Sequence, residues 1–435
     1  MKILVVGSGG REHALAWKIK QSSKVTRLFC APGNPGIEQL AELVPVKATD
    51  LFALADFAET QHIDLTVVGP EQPLAAGIVD LFEERGLRIF GPTKRAAELE
   101  WSKAFAKEFM RRYSIPTASY RKFSLHQIEE ANSYIDECSL PVVLKVDGLA
   151  AGKGVVVCET REEAVANLTG MMRAKLFGSA GDTFLVEEFM EGEEASVFAI
   201  CDGKNFITLA PAKDHKRALD GDLGKNTGGM GATAPTPLIS DEMLITIQET
   251  IITPTLRGMA QDGRPYKGCL YVGLMVTDSG PKVLEFNSRL GDPEAQVVLP
   301  LFEGDIVDVF LAACDGELEA YCAQVNSYSP SGAAVCVVVA SRGYPDDYST
   351  GDEIHGLNDL DELPEVVVFH AGTKRDNGRL VTAGGRVLGV TASVRNGSVP
   401  EAIELAYKAV SKVSFAGMHF RSDIGKRALT KVQLG

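Results

Sequence analysis

Ile3–Val6 is an unbroken apolar run that ends in Gly7-Ser8-Gly9-Gly10, and a helical pattern follows with Leu15 and Ile19 four apart. A short run apolar on both faces suits a strand buried inside a parallel sheet. Further short strands read at Thr26–Cys30, Leu65–Val68 and Arg88–Phe90, with helical segments Leu51–Thr60 and Ala75–Glu84 between them. Repeated strand–helix units specify an α/β doubly wound parallel sheet for the first hundred residues.

The 435 residues leave room for more than this unit, about three domains at roughly 150 residues each. In the second stretch a helix near Ser102–Arg112 is stopped by Ile115-Pro116, and strands read at Val142–Val146, Val155–Cys158, Phe184–Phe189, Ser196–Cys201, Tyr271–Thr277 and Lys282–Phe286. Residues 213–233 read as a long polar, glycine-containing loop, suited to covering a substrate. From about residue 329 the pattern is mostly strand, with a tight turn at Asp376-Asn377-Gly378 and one helix at Pro400–Val413. The chain as a whole is therefore α+β.

With 44 Lys and Arg against 58 Asp and Glu, the net charge of −14 argues against a nucleic-acid partner. The eight cysteines form no CxxC pair and read as scattered small hydrophobes. The longest apolar run, Ala333–Ala340, is far shorter than the roughly 20 residues of a membrane span, and Met1–Val6 is too short for a signal peptide. A cytoplasmic protein that acts on small molecules, without nucleic acid or membrane, is the expectation.

Five clusters carry chemistry. Gly7–His13 runs from a strand through glycines to a helix start, where free N–H groups and the helix dipole favour an anion; a plain tight strand–helix turn is the other reading. The dinucleotide fingerprint fails because Glu12 occupies its third glycine position, and the next strand, ending at Cys30, lacks the ribose-binding acid; this disfavours an NAD-binding oxidoreductase. Lys145 at a strand end, with the loop Asp147–Gly154, suits either a phosphate cradle or a flexible hairpin loop. Val186–Met190 with Gly192-Glu193-Glu194 is an acidic stretch able to accept from an adenine amine and a ribose hydroxyl, or an exposed acidic loop. Glu285 and Asn287 share a strand face, as side chains repeat every two residues; a carboxylate and an amide oxygen suit Mg²⁺, and Arg289 on the same parity suits a transferring phosphoryl group. Asp214–Arg217 and Asn226–Gly231 complete the set.

Taken together, GSGGREHALAW (7–17), VGPEQPLAAG (68–77), LKVDGLAAGKGVVV (144–157), VEEFMEGEEAS (186–196), DHKRALDGDLGKNTGGMGA (214–232), EFNSRLGDPEAQ (285–296), GYPDDYSTGD (343–352), HAGTK (370–374) and FRSDIGKRA (420–428) resemble the ATP-grasp superfamily and, within it, the glycinamide ribonucleotide synthetase family. The resemblance implies three units: an N-terminal α/β domain (1–101), an ATP-grasp domain (102–328) with a lid near residues 120–192, and a small β-rich domain (329–435). It implies ligation of glycine to phosphoribosylamine with ATP and Mg²⁺ or Mn²⁺, in a monomer. Another ATP-grasp carboxylate–amine ligase is the alternative within the class.

By matching position, the resemblance assigns Lys103, Lys145, Gly152, Lys153 and Gly154 to the ATP phosphates, and Glu187 with the backbones of Glu188 and Met190 to adenine. Glu194 falls to the ribose, with Glu193 as the alternative, and Glu285 and Asn287 to the metal. Arg289, Lys145 and Asp292 are the catalytic set. Gly9, Gly10, Arg11, Glu12 and Glu71 face phosphoribosylamine; Asp214, Lys216, Asp292 and Glu294 face the small substrates. Three departures stand out. The strand Tyr271–Met275 lacks the acid that often gives a further metal ligand, Lys225 replaces a usual proline, and Ser288 and Leu290 stand where Cys or Val and Phe are commoner.

Overall fold

The computed structural model describes residues 1–148, 154–173, 183–324 and 332–426. Gly152 and Lys153 lie outside the described residues, as does the expected boundary near residue 329.

The N-terminal unit is a parallel five-stranded sheet, in the order β3-β2-β1-β4-β5: β1 Lys2–Gly7, β2 Arg27–Pro32, β3 Glu42–Leu43, β4 Leu65–Val68 and β5 Ile89–Phe90. Ile3, Leu4, Val5 and Val6 are all fully buried. Ile3 and Val5 join one apolar cluster and Leu4 and Val6 another, which explains why this strand is apolar on both faces. The expected helix at Ala75–Glu84 is instead two, Glu71–Ala76 and Ile78–Glu84, because Gly77 takes a left-handed φ of 98° between them.

Two antiparallel sheets follow. One joins β6 (Tyr120–Ser124), β7 (Val142–Val146), β8 (Val155–Cys158) and β9 (Thr183–Glu188) in the order β6-β9-β7-β8. The other pairs β10 (Glu193–Asp202) with β11 (Phe206–Thr208) on one side and with β16 (Lys267–Thr277) on the other, and β16 with β17 (Gly280–Asn287). The numbers skipped belong to residues 213–234, and here the structure corrects the expected loop. This segment forms β12 (Lys213–Asp214), β13 (Arg217–Leu219), β14 (Leu223–Asn226) and β15 (Gly231–Ala234). β12 and β15 are the edge of a C-terminal sheet completed by β18 (Ala333–Ala340), β19 (Val366–His370) and β22 (Arg386–Val394), in the order β12-β15-β18-β22-β19. Ala232 pairs with Cys336 across about a hundred residues, a register that no local pattern announces.

Asn377 and Gly378 both have positive φ in the tight turn between β20 (Thr373–Asp376) and β21 (Arg379–Thr382), as their sequence predicts. The helix Val399–Val410 starts at Ser398, whose N–H donates to Glu401 Oε2 at 2.8 Å, and packs Ala402, Ile403, Ala406 and Val410 on the C-terminal sheet. Among the described residues no helix is long and apolar enough to cross a membrane.

Candidate active site

A cavity of about 150 Å³ opens between the two central sheets. Lys103, Lys107, Lys145, Glu187, Glu285, Asn287, Arg289 and Glu71 are among the residues that line it. Local chemistry sets the cavity wall. Ser102 caps the helix Lys103–Arg112 by accepting from Phe105 N at 3.1 Å, and Asp147, just after β7, accepts from Ala104 N at 3.1 Å and from Ser102 Oγ at 3.2 Å. This clasp ties the helix start to the end of β7 and sets Lys103 near Lys145. Lys103 Nζ donates to Gly148 O at 2.8 Å, and burial lowers its pKa although Glu285 and Asp147 oppose that.

Lys107 was not anticipated. Its Nζ and that of Lys145 each stand 2.9 Å from the same oxygen, Glu187 Oε2. The side chains of Lys107 and Glu187 are only 3% and 2% exposed. Burial pushes the Lys107 ammonium down to about 8 while Glu187 works the other way. Glu187 Oε1 is buried and accepts no hydrogen bond among the described residues, which leaves it as an acceptor at the cavity. The signal in the sequence was spacing: Lys103 and Lys107 are four apart and share a helix face. The Glu188 carboxylate turns elsewhere, accepting from Ser119 N at 3.0 Å. Glu194 bonds Lys216 at 2.6 Å and Glu193 bonds Lys213 at 2.7 Å. Met190 is buried just beyond β9.

At the end of β17, Glu285, Asn287 and Arg289 face the cavity together. Glu285 opens onto the cavity; the surrounding protein, by excluding part of its solvent, opposes ionisation, but Lys216, Lys145, Arg289 and Lys103 hold its pKa below the ordinary value. Arg289 Nε stands 3.4 Å from Glu71 Oε2, and Arg289 Nη2 stands 3.1 Å from Glu100 Oε1 and 3.3 Å from Asn287 Oδ1. Burial works against the guanidinium charge, yet Glu100, Glu71 and Glu294 raise its pKa. Opposite Glu285 on β16 stands Gly273, so that strand offers no second carboxylate. Among the described residues no three His, Cys, Asp or Glu side chains converge on one point. Glu285 and Asn287 nevertheless fit a hard cation that completes its shell with water and phosphate oxygens.

On the other side of Arg289 lies a second cluster. Gly9 and Gly10 begin the helix Gly10–Lys20, and the anion at that helix start is the chain's own Glu12. Its Oε2 accepts from Gly9 N at 2.6 Å and its Oε1 from Arg11 Nε at 2.6 Å. A Cβ at Gly7 or Gly69 would overlap the Glu12 side chain, so these glycines exist to admit it. A carboxylate seated there repels a dinucleotide diphosphate, which agrees with the failed fingerprint. Arg11 Nη1 donates to Leu290 O at 3.2 Å. Asp292 faces Gly9 and Gly10; it accepts from Gln296 Nε2 at 2.8 Å, and its pKa is lowered, burial notwithstanding, by Arg386 and Arg11. Arg386 also escaped the sequence reading. It starts β22 and donates to Asp292 O at 2.7 Å and Gly228 O at 2.6 Å, closing the Asn226–Gly231 segment over the cluster. Asp214, raised well above the ordinary carboxyl pKa by burial and by neighbouring Glu294, has an Oδ1 that accepts no hydrogen bond among the described residues. Glu294 Oε1 accepts from Ser196 Oγ at 3.2 Å.

Of the residues named from sequence, the structure gathers Lys103, Lys145, Gly154, Glu187, Glu285, Asn287, Arg289 and Glu71 at the cavity, and Gly9, Gly10, Arg11, Glu12, Asp214, Asp292 and Glu294 beyond Arg289. Lys225, which stands in the place of a proline, donates from Nζ to both carboxylate oxygens of Asp346, at 2.8 and 3.0 Å.

Two antiparallel sheets around a lysine-lined cavity, preceded by a parallel α/β unit and followed by a β-rich one, define an ATP-grasp protein. Descriptions of the phosphoribosylglycinamide synthetase N domain, ATP-grasp (A) domain and C domain match residues 1–100, 101–295 and 334–427 in turn. The chain is 50% identical over 433 residues to the phosphoribosylamine–glycine ligase of Chlorobaculum tepidum, covering 99% of this chain and all of that one. It is 49% identical over 437 residues to the enzyme of the same name from Salmonella typhi, covering both chains in full. The crystal structure of the phosphoribosylamine–glycine ligase of Thermotoga maritima superposes with a TM-score of 0.84 at 34% identity, over 98% of this chain and all of that one. The biotin carboxylase of Campylobacter jejuni, at 16% identity, shares the fold with a TM-score of 0.73 over 96% of this chain and 92% of its own. The chain belongs to the phosphoribosylglycinamide synthetase family.

Proposed function

We propose that this chain joins glycine to 5-phospho-β-D-ribosylamine, converting ATP to ADP and phosphate and forming glycinamide ribonucleotide, in purine biosynthesis. The observation that carries the reading is the position of Arg289. It stands between a cavity lined by three lysines and a second cluster built on Gly9, Gly10, Asp292, Asp214 and Glu294. A phosphoryl donor on one side and an amine acceptor on the other would share this guanidinium.

A carboxylate has no good leaving group, so glycine must be activated. Its carboxylate oxygen attacks the γ-phosphorus, the bond to the β-phosphate oxygen breaks, and ADP departs. The ribosylamine nitrogen then attacks the carbonyl carbon of glycyl phosphate; phosphate leaves and the nitrogen loses a proton. Such steps depend on positioning and charge neutralisation. Lys103 and Lys145 hold phosphates; Glu187, held by Lys107 and Lys145, receives the adenine amine, with Glu194 toward the ribose. Arg289 neutralises the transferring group. Glu285 and Asn287 hold Mg²⁺ or Mn²⁺, which draws charge from the phosphate oxygens when bound. Gly9, Gly10, Arg11, Glu71 and Asp292 orient the ribosylamine, and the acidic pair Asp214 and Glu294 suits the ammonium of glycine. We divide the chain into an N-terminal domain (1–101), an ATP-grasp domain (102–328) and a C-terminal domain (329–435), and take it to work as a cytoplasmic monomer.

The test is ADP release with ATP, Mg²⁺, glycine and phosphoribosylamine, omitting each in turn. ADP formation that does not depend on glycine, or no ADP at all, refutes the reading.

A further inference from the structure

Arg289 cannot choose its own direction. It lies in the bend just beyond β17, and within reach of its guanidinium are four acceptors: Glu71 Oε2, Glu100 Oε1, Asn287 Oδ1 and the backbone oxygen of Leu290. Asn287 is the last residue of β17, and the bond to it occupies the amide oxygen assigned to the cation. Glu100 holds the same nitrogen, Nη2, from another element. It sits on the short helix Glu98–Trp101, immediately before the cap of the lysine helix, with its side chain only 6% exposed.

Glu100 is itself oriented. Its Oε2 accepts two hydrogen bonds from Ser288, the backbone N at 2.8 Å and Oγ at 2.6 Å. With Oε2 fixed twice, Oε1 is left pointing at Arg289 Nη2, 3.1 Å away. Ser288 is buried and has no route to solvent that would reward a hydroxyl there. A buried hydroxyl is stable only when bonded. Cys or Val in its place would leave the backbone N–H as the one strong donor, since a thiol donates weakly and an isopropyl group not at all. The serine thus adds a second tether that neither could supply.

We propose that Glu100, tethered by Ser288, is the positioning residue that fixes Arg289 Nη2 at the cavity, where the guanidinium meets the transferring phosphoryl group. The proposal rests on Arg289 acting in phosphoryl transfer. Glu100 and Ser288 need not touch substrate. Their effect is carried by one guanidinium whose displacement by about an ångström is enough to slow a positioned reaction a hundredfold.

The test is a double-mutant cycle on glycine-dependent ADP release, with the Kd of a non-hydrolysable ATP analogue and the melting midpoint measured beside it. Glu100→Gln keeps shape and removes charge. It is expected to lower kcat at least about tenfold with the analogue Kd within about twofold, because orientation and not nucleotide contact is lost. Ser288→Ala is expected to lower kcat about threefold, since the backbone bond survives, and Ser288→Thr, which restores the hydroxyl, to recover it. In an Arg289→Ala background, Glu100→Gln is expected to cost nothing more, because residues that act through one group are not additive. A further loss of the same size in that background shows that Glu100 acts by another route and overturns the proposal. So does an unchanged kcat in Glu100→Gln when Arg289→Ala is slow. If Arg289→Ala itself keeps full kcat, the role assigned to Arg289 falls and takes this inference with it, an outcome distinct from the other two. Should Glu100→Gln fail to fold, the Ser288 pair decides: equal kcat in Ser288→Ala and the unaltered chain overturns the tether.

Discussion

Two buried histidines make the contact between the first helix and the C-terminal sheet a sensor of acid. His370 N donates to His13 Nδ1 at 2.8 Å, the two rings lie 5.6 Å apart, and Gly36 leaves room for both. The bond requires a neutral His13, because a protonated Nδ1 would face a donor with a donor. Burial, then His370, lowers the His13 pKa to about 3; burial, then Arg375, lowers that of His370 to about 4. In the unfolded chain both return to about 6.5. The unfolded state therefore binds more protons between about pH 6.5 and pH 3, and stability falls as pH falls through that window. At pH 5 the native rings are both neutral. The loss relative to pH 7.5 is then set by the 1.5 units between pH 5 and 6.5, about 2 kcal/mol for each ring. The pair together loses about 4 kcal/mol. Trp17 packs edge-on against Phe369, with ring centroids 6.0 Å apart, so its fluorescence in a Trp101→Phe background reports separation of this contact. In urea titrations at pH 7.5 and 5, His13→Asn, whose amide oxygen can still accept from His370 N, should lose about 2 kcal/mol less than the unaltered chain. Equal pH dependence in the two, or a His13 that titrates near pH 6.5 by NMR in the folded chain, refutes the reasoning.

Three further outcomes are expected. Lys107→Met should destabilise by about 1–3 kcal/mol, below the usual cost of breaking a buried pair because Lys145 still holds Glu187, and should weaken ATP binding; thermal melting and an ATP titration check this, and adding Glu187→Gln should restore stability but not affinity. Glu285→Ala should cut turnover by at least about a hundredfold, with the nucleotide-free melting midpoint unchanged; full turnover at saturating Mg²⁺ would remove Glu285 from the cation site. Gly69→Ala drives a Cβ into the Glu12 carboxylate, so kcat/KM for phosphoribosylamine should fall while KM for ATP holds; steady-state kinetics with each substrate varied separate the two.

How far the sequence speaks depends on the range of the interaction that decides each feature. Ile3–Val6, Val142–Val146 and Ala333–Ala340 were legible as strands because a core-buried strand carries its burial in its own residues. Asn377-Gly378 was legible because a tight turn needs positive φ within two residues. Glu285 and Asn287 converge because a strand repeats every two positions, whereas β17 ends at Asn287 and Arg289 reaches the cavity from the bend beyond it. The 213–234 segment failed that logic. Its strands are two to four residues long, with β15 paired to β18, β12 to β15, and β13 and β14 to each other, so their own composition reads as loop. The same holds for the charges around the site. Lys107 had a local signal, four residues from Lys103, whereas Glu100 meets Ser288 across 188 residues, with Arg289 next in the chain, and Arg386 meets Asp292 across 94. Polar residues of that kind look like solvated surface until the fold brings their partner. The sheets do not coincide with the three stretches of chain, and that is the functional point. By giving β12 and β15 to the C-terminal sheet, the central stretch places Asp214 and the Asn226–Gly231 segment under Arg386, where a residue of the last unit can close the cluster that the first unit opens at Gly9. A ligase that must hold an activated acyl group away from water gains from having all three units complete one enclosure.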